Sequence, residues 1–146
     1  MTGYCRRDAE AAEKSKREMD QRELDAISES IIGCAIEVHR HVGPGLLESV
    51  YESAMAIELS LRGLGFERQK NLPVFYRGQP IGEFRLDFLV ESSVIVELKS
   101  VERIDPIFSA QLLSYLRMGG YPLGLLINFN SRLLKDGVKR IILSRQ

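Results

Sequence analysis

RLDFLVESSVIVELK, residues 85–99, decides the fold. Apolar residues alternate with others on both sides of Glu91-Ser92-Ser93, which is the period of two strands joined by a tight connection. With a three-residue loop, Val90 pairs with Val94, Phe88 lies opposite Val96, and Asp87 lies opposite Glu97. One face is then wholly apolar: Leu86, Phe88, Val90, Val94, Val96 and Leu98. The other carries Asp87, Leu89, Ile95, Glu97 and Lys99. A two-residue loop would slip the register by one and turn Asp87 into the apolar set. Burying an unpaired carboxylate there costs several kcal/mol. The pattern therefore selects the three-residue loop or a bulge.

Upstream, residues 66–76 (FERQKNLPVFY) predict a strand that Pro73 confines to an edge or a bulge. Arg77 to Pro80 is its turn, and 81–90 is the next strand. Two helices precede them. Ile27, Ile31, Ala35, Val38 and Val42 recur at helical spacing over 25–41, and Gly43-Pro44-Gly45 ends that helix. A second helix is predicted over 45–62, with Leu46, Leu47, Val50, Ala54, Ile57 and Leu61 as its apolar stripe. Downstream, Pro106 opens a helix over 106–118. The apolar run LGLLINF (123–129) predicts a strand covered on both faces, and 138–144 predicts a last strand. The order is α-α-β-β-β-α-β-β, an α/β mixed sheet flanked by helices.

The chain has 146 residues, 45% hydrophobic and 27% charged, which is one globular domain. No apolar run is long enough to cross a bilayer. Residues 1–24 alternate charges without apolar periodicity and read as an extension outside the 25–146 domain. They contain no apolar core of a secretory signal, so a cytoplasmic location is expected. Two cysteines, Cys5 and Cys34, make neither a disulfide framework nor a zinc site. Net charge is zero, against a protein that coats nucleic acid. Yet residues 26–98 carry ten acidic and six basic side chains, and 99–146 carry three and eight. That asymmetry is compatible with a metal site beside a phosphate-binding surface, and equally with an uneven solvated surface.

The hairpin holds the chemistry. Two carboxylates directly opposed across strands repel, so something must compensate them. Lys99 brings one positive charge, and a divalent cation brings two. Oxygen ligands on adjacent strands suit Mg²⁺ or Mn²⁺, which retain waters and accept phosphate oxygens. A lysine beside the metal can orient a water or stabilise charge on phosphate. A Glu-x-Lys alone is commonly a solvated pair; the Asp ten residues earlier is what raises it to a candidate site. Glu48 sits off the apolar stripe of its helix, beside Met55 and Leu59, in a first turn that favours a carboxylate through the helix dipole. Gln111 and Tyr115 share one face of helix 106–118. His39 and His41 are two apart on a helix and cannot share a face, which excludes a joint metal site. Arg68, Lys70, Arg85, Arg103 and Arg117 are candidates for backbone phosphate contacts.

These stretches resemble the GxxExxY family, small bacterial and archaeal proteins of the PD-(D/E)xK nuclease-like superfamily. The resemblance runs through IIGCAIEVHRHVGPGLLESVYE (31–52), RLDFLVE (85–91), VIVELKS (94–100), AQLLSYL (110–116) and LGLLINF (123–129). Gly45, Glu48 and Tyr51 are the namesake positions. It implies a restriction-endonuclease-like fold and Mg²⁺- or Mn²⁺-dependent phosphodiester hydrolysis on DNA or RNA. It also implies roles: Asp87 and Glu97 as metal ligands, with the carbonyl of Leu98 beside them; Lys99 as the water- or phosphate-contacting lysine; Glu48 and Gln111 completing the shell. Tyr51, Tyr115 and His39 are candidates for substrate contacts. The rival expectation is a nuclease-like module that binds nucleic acid or a protein without cleaving. A homodimer through the N-terminal helices is compatible with the sequence, and no membrane association is expected.

Overall fold

Residues 19–144 are described in the computed structural model. The charged extension lies outside them up to residue 18, as does Cys5. The elements run α1 (Gln21–Val42), α2 (Glu48–Leu61), β1 (Phe66–Tyr76), β2 (Gln79–Val90), β3 (Val94–Lys99), α3 (Pro106–Gly119), β4 (Leu123–Asn128) and β5 (Val138–Ile142). A 3-10 turn at Leu134–Gly137 precedes β5. The five strands form one sheet in the order β1-β2-β3-β4-β5. All neighbours are antiparallel except β3 and β4. A parallel pair requires a crossover, and α3 supplies it. This is the α/β mixed sheet with flanking helices expected of a restriction-endonuclease-like fold.

Local chemistry explains the element ends. Asp20 caps α1 by accepting the Glu23 N–H at 2.9 Å, so the helix starts four residues before the sequence pattern does. Asp105 caps α3 through the Ile107 N–H, with Pro106 following at a position that needs no donor. Arg77 and Gly78 take left-handed φ of 51° and 78° between Tyr76 and its partner Gln79, a two-residue hairpin turn. β1 is an edge strand, where Pro73 is tolerated, and its ladder is irregular between Val74 and Phe75.

Two layers of core sandwich the sheet. On one face α1 and α2 bring Ile31, Val38, Met55 and Leu59 against Phe88, Val96, Leu125 and Ile127. On the other, α3 brings Leu112 and Leu116 against Leu89, Ile95 and Leu126. Each such fully buried side chain contributes about 1.5–3 kcal/mol. All six residues of β4 are buried, as a strand covered on both faces must be.

Two expectations fail here. The face that α2 buries is Tyr51, Met55 and Leu59. The stripe read from the sequence faces outward: Leu46, Leu47, Val50, Ile57 and Leu61 are all exposed. Both sides of this helix are apolar, so periodicity does not select between them. The buried side carries the larger residues, and Tyr51 stacks flat on Phe129 at 4.4 Å. In addition, Gly45 takes φ +91°, which no right-handed helix contains, so α2 begins at Glu48 instead of residue 45.

Tyr51 also holds the turn that leads into α2. Its hydroxyl donates to the Gly43 carbonyl at 2.6 Å and accepts from the Leu46 N–H at 3.1 Å. Tyr51→Phe keeps the packing but leaves both groups without that partner. A loss of about 1–3 kcal/mol is expected, read as a lower midpoint in urea unfolding at unchanged slope.

Candidate active site

The site forms where the hairpin ladder opens. β2 and β3 pair at Val90↔Val94, Leu89↔Ile95 and Phe88↔Val96, the register of a three-residue loop. The ladder ends there. Asp87 does not continue it with Glu97; its Oδ2 accepts the Leu98 N–H at 2.8 Å in place of a main-chain carbonyl. On the other side of β2, Gln69 of β1 takes a left-handed φ of 53° opposite Asp87. The alternation of β2 breaks at this point. Leu86, expected among the apolar residues facing α1 and α2, packs in the α3 layer instead.

The result is a cleft of about 180 Å³ lined by Glu48, Arg85, Asp87, Glu97, Leu98, Lys99, Phe108, Gln111, Tyr115 and Leu126. It draws together two strands and two helices. Asp87 and Glu97 come from β2 and β3, Glu48 from the first turn of α2, and Gln111 and Tyr115 from one face of α3. Glu48 and Gln111 are exposed at its rim. A second hollow shares Glu48, Asp87 and Leu98 and adds Glu52 and Gln69. There the Gln69 amide reaches Glu52 and, at 3.5 Å, Asp87 Oδ1. Glu52 in turn pairs with Arg68 at 2.9 Å.

Glu97 is the electrostatic focus. It is 8% exposed, and its Oε1 is buried without a hydrogen-bond partner. Burial, then the Asp87 charge, then a hydrogen bond with the Asp87 carboxyl push its pKa up to about 9, while Lys99 pulls it down. Burial, then the charges of Glu97 and Asp87, likewise push the Tyr115 phenol up. A buried carboxyl with an orphaned oxygen beside a second carboxylate is a site that a cation relieves.

Lys99 is half-buried, and its Nζ lies 4.4 Å from the centre of the Phe108 ring. Its main chain is fixed as well. Lys99 O accepts the Phe129 N–H at 2.9 Å. The buried Asn128 side chain accepts from Val101 N–H and donates to Val101 O, at 3.0 and 2.9 Å. Phe108, Gln69 and Asn128 were not singled out from the sequence. Only Asn128 leaves a signal there, as a polar residue near the end of an otherwise apolar run.

Two candidates lie elsewhere. Tyr51 has no exposed surface and serves the fold. His39 lines a separate hollow with Ile36, Arg132 and Lys135. Its Nε2 lies 2.7 Å from the Ser131 carbonyl, an acceptor only, so this nitrogen carries a proton. His41 bonds Glu37 on its own helix. Among the basic candidates, Arg85 lines the cleft, Arg68 is engaged by Glu52 and Ser53, and Lys70 pairs with Glu67.

The donor set is small. Among the described residues, no group of three or more His, Cys, Asp or Glu side chains is placed to hold a metal ion. Two carboxylates with the orphaned Oε1 fit Mg²⁺ or Mn²⁺, hard ions that keep several waters and need few protein ligands. They do not fit a site built wholly from side chains. Among the described residues, no helix is long and apolar enough to cross a membrane. No curated protein and no solved structure matches the chain. A family profile, that of the PD-(D/E)XK nuclease superfamily, matches residues 25–141. By that match over most of its length, the chain belongs to the PD-(D/E)XK nuclease superfamily.

Proposed function

We propose that this protein hydrolyses phosphodiester bonds in DNA or RNA with Mg²⁺ or Mn²⁺ held by Asp87 and Glu97. The observation that carries the reading is the buried, unpartnered Glu97 Oε1 beside Asp87, in a cleft that also presents Lys99. The main chain of Leu98 offers a further donor, and the rim carboxylate of Glu48 adds negative charge to the cleft without serving as a third side-chain ligand. Bound there, the ion supplies positive charge for a phosphate and acidifies a water.

The chain's own groups do the rest. Lys99, pre-oriented by Phe108 and by its anchored main chain, donates to the attacking water or to a phosphate oxygen as charge builds. Arg85 offers a phosphate contact at the rim, and Gln111 and Tyr115 offer uncharged donors from the α3 side. Within the superfamily, the spacing of Gly45, Glu48 and Tyr51 supports the GxxExxY group. Gly45 supplies the left-handed turn, Tyr51 ties that turn to the core, and Glu48 thereby enters the cleft.

The test is cleavage of labelled single- and double-stranded DNA and RNA in Mg²⁺ and Mn²⁺. Lys99→Ala is expected to lower turnover by about 10²–10³, the scale of losing one charge-stabilising donor. Its effect on stability is modest, because a partly buried cation–π contact contributes about 0.5–2 kcal/mol. The neutral net charge favours a second reading, a module that binds without cleaving. Binding of labelled nucleic acid without cleavage by the wild type, and without any effect of Mg²⁺ on thermal stability, would establish that second reading.

A further inference from the structure

The outward face of α2 is largely uncovered; only Ala54, at its edge, also packs against the core. Leu47, Val50, Ala54, Ile57 and Leu61 follow one another at spacings of three, four, three and four, the seam of a helix that packs on another helix. Leu47, Ile57 and Leu61 are 74%, 63% and 75% exposed, Val50 is 42% exposed, and Ala54 is half-buried. Together they leave bare on the order of 500 Å² of contiguous apolar surface, at the upper end of what monomers expose. A largely apolar groove lined by Ala56, Ile57, Leu61 and Phe66, with Arg68 at its side, runs alongside.

The seam is symmetric about its middle. Reversed on itself through Ala54, it sets Ala54 against Ala54 and Leu47 against Leu61, with Val50 facing the Ile57–Glu58 step. Large residues meet at the ends, and the small one at the centre permits the short end of the usual 8–10 Å interaxial range. In that register Glu58 lies opposite Val50, so no carboxylates are opposed. Self-complementarity under a two-fold is what an isologous interface requires. Covered completely on both copies, that surface would come to about 1,000 Å², the threshold of a specific interface.

We infer that α2 is a homodimer interface in which two copies of this chain pair antiparallel about Ala54. Other occupants fit less well. Residues 1–18 contain no Leu, Ile, Val or Phe to fill an apolar groove. Nucleic acid and anionic lipid are disfavoured because α2 carries Glu48, Glu52 and Glu58 and no Lys or Arg. The antiparallel pairing also puts the two Glu48 residues, and with them the two clefts, at opposite ends of the seam. The fourteen residues of α2 separate them by about 20 Å along it.

Sedimentation equilibrium of the full chain, from low micromolar to submillimolar, tests this. The expected mass rises to twice the 16.5 kDa of one chain. Ile57→Lys and Leu61→Lys, both at exposed positions, are expected to return it to one chain with an unchanged circular dichroism spectrum. Oxidative cross-linking then fixes the direction. In a Cys5→Ser background, with Cys34 buried, Ala54→Cys is expected to link to itself. Val50→Cys is expected to link to an Ile57→Cys chain in preference to another Val50→Cys chain. A single-chain mass at every concentration would overturn the inference, as would a dimer indifferent to both lysine variants. Preferential Val50→Cys self-linkage would overturn the antiparallel arrangement.

Discussion

Glu97→Gln is expected to stabilise the metal-free protein by about 3 kcal/mol at pH 7 and to erase its response to Mg²⁺. The argument begins with the unfolded chain, where this carboxyl ionises with the ordinary value of 4.5. In the folded chain burial and Asp87 raise it to about 9. Between those values the folded state holds a proton that the unfolded state has released. Its stability therefore falls as pH rises from 4.5 toward 9, by about 1.4 kcal/mol per unit, and is flat outside that window. Glutamine is already neutral and avoids this loss. The difference in unfolding free energy between wild type and Glu97→Gln reads this group together with its coupling to Asp87 and Tyr115. That difference is expected to grow with pH across 5–8. In the wild type, added Mg²⁺ replaces the proton and raises the melting temperature in proportion to the logarithm of its concentration. Wild type and variant melting alike at all pH values, with equal responses to Mg²⁺, would show Glu97 to be neither strained nor a ligand.

Much of this site is legible in the sequence for a simple reason. Strand alternation is rigid, and a slip by one residue would bury Asp87 among Phe and Val. The register at Val90↔Val94 follows, and with it the approach of Asp87, Glu97 and Lys99. The break in that alternation is not legible. Whether a carboxylate opposes its neighbour or accepts a main-chain N–H depends on the backbone of β1 at Gln69, a strand away. Phe108 is hidden for a similar reason, because only the packed position of α3 brings it to the cleft. The orientation of α2 is misread because both its faces are apolar. Periodicity measures amphipathicity against water, and a helix with one face on the core and one apolar face outward offers no such contrast. The turn before it is readable in outline from Gly43-Pro44-Gly45, but the strut that Tyr51 gives that turn is a tertiary contact.

Asp87 separates scaffold from chemistry, and two substitutions there are expected to lose cleavage equally while differing in stability. The carboxylate has two duties in the structure: it accepts the Leu98 N–H at 2.8 Å, and it faces Glu97. Asp87→Asn retains an oxygen for the first duty and removes the charge needed for the second. Asp87→Ala removes both and leaves the N–H of Leu98, a residue only 2% exposed, without an acceptor. Both variants also take a negative charge away from Glu97, so that gain cancels between them. Asparagine is therefore expected to be more stable than alanine by about 1–3 kcal/mol, the desolvation penalty of an unmade hydrogen bond. Cleavage is expected to fall at least about 10³-fold in both, because a cation held by one carboxylate has lost half its side-chain ligands. The asparagine variant should also release Glu97 from part of its repulsion, which brings its pKa down and narrows the pH window over which stability falls. Paired measurements of turnover and denaturant midpoint decide the matter. If the alanine variant cleaves poorly while the asparagine variant keeps wild-type turnover, Asp87 is a hydrogen-bond acceptor of the hairpin and the cation belongs elsewhere. If both cleave poorly and only alanine loses stability, the same carboxylate ends the ladder and builds the site.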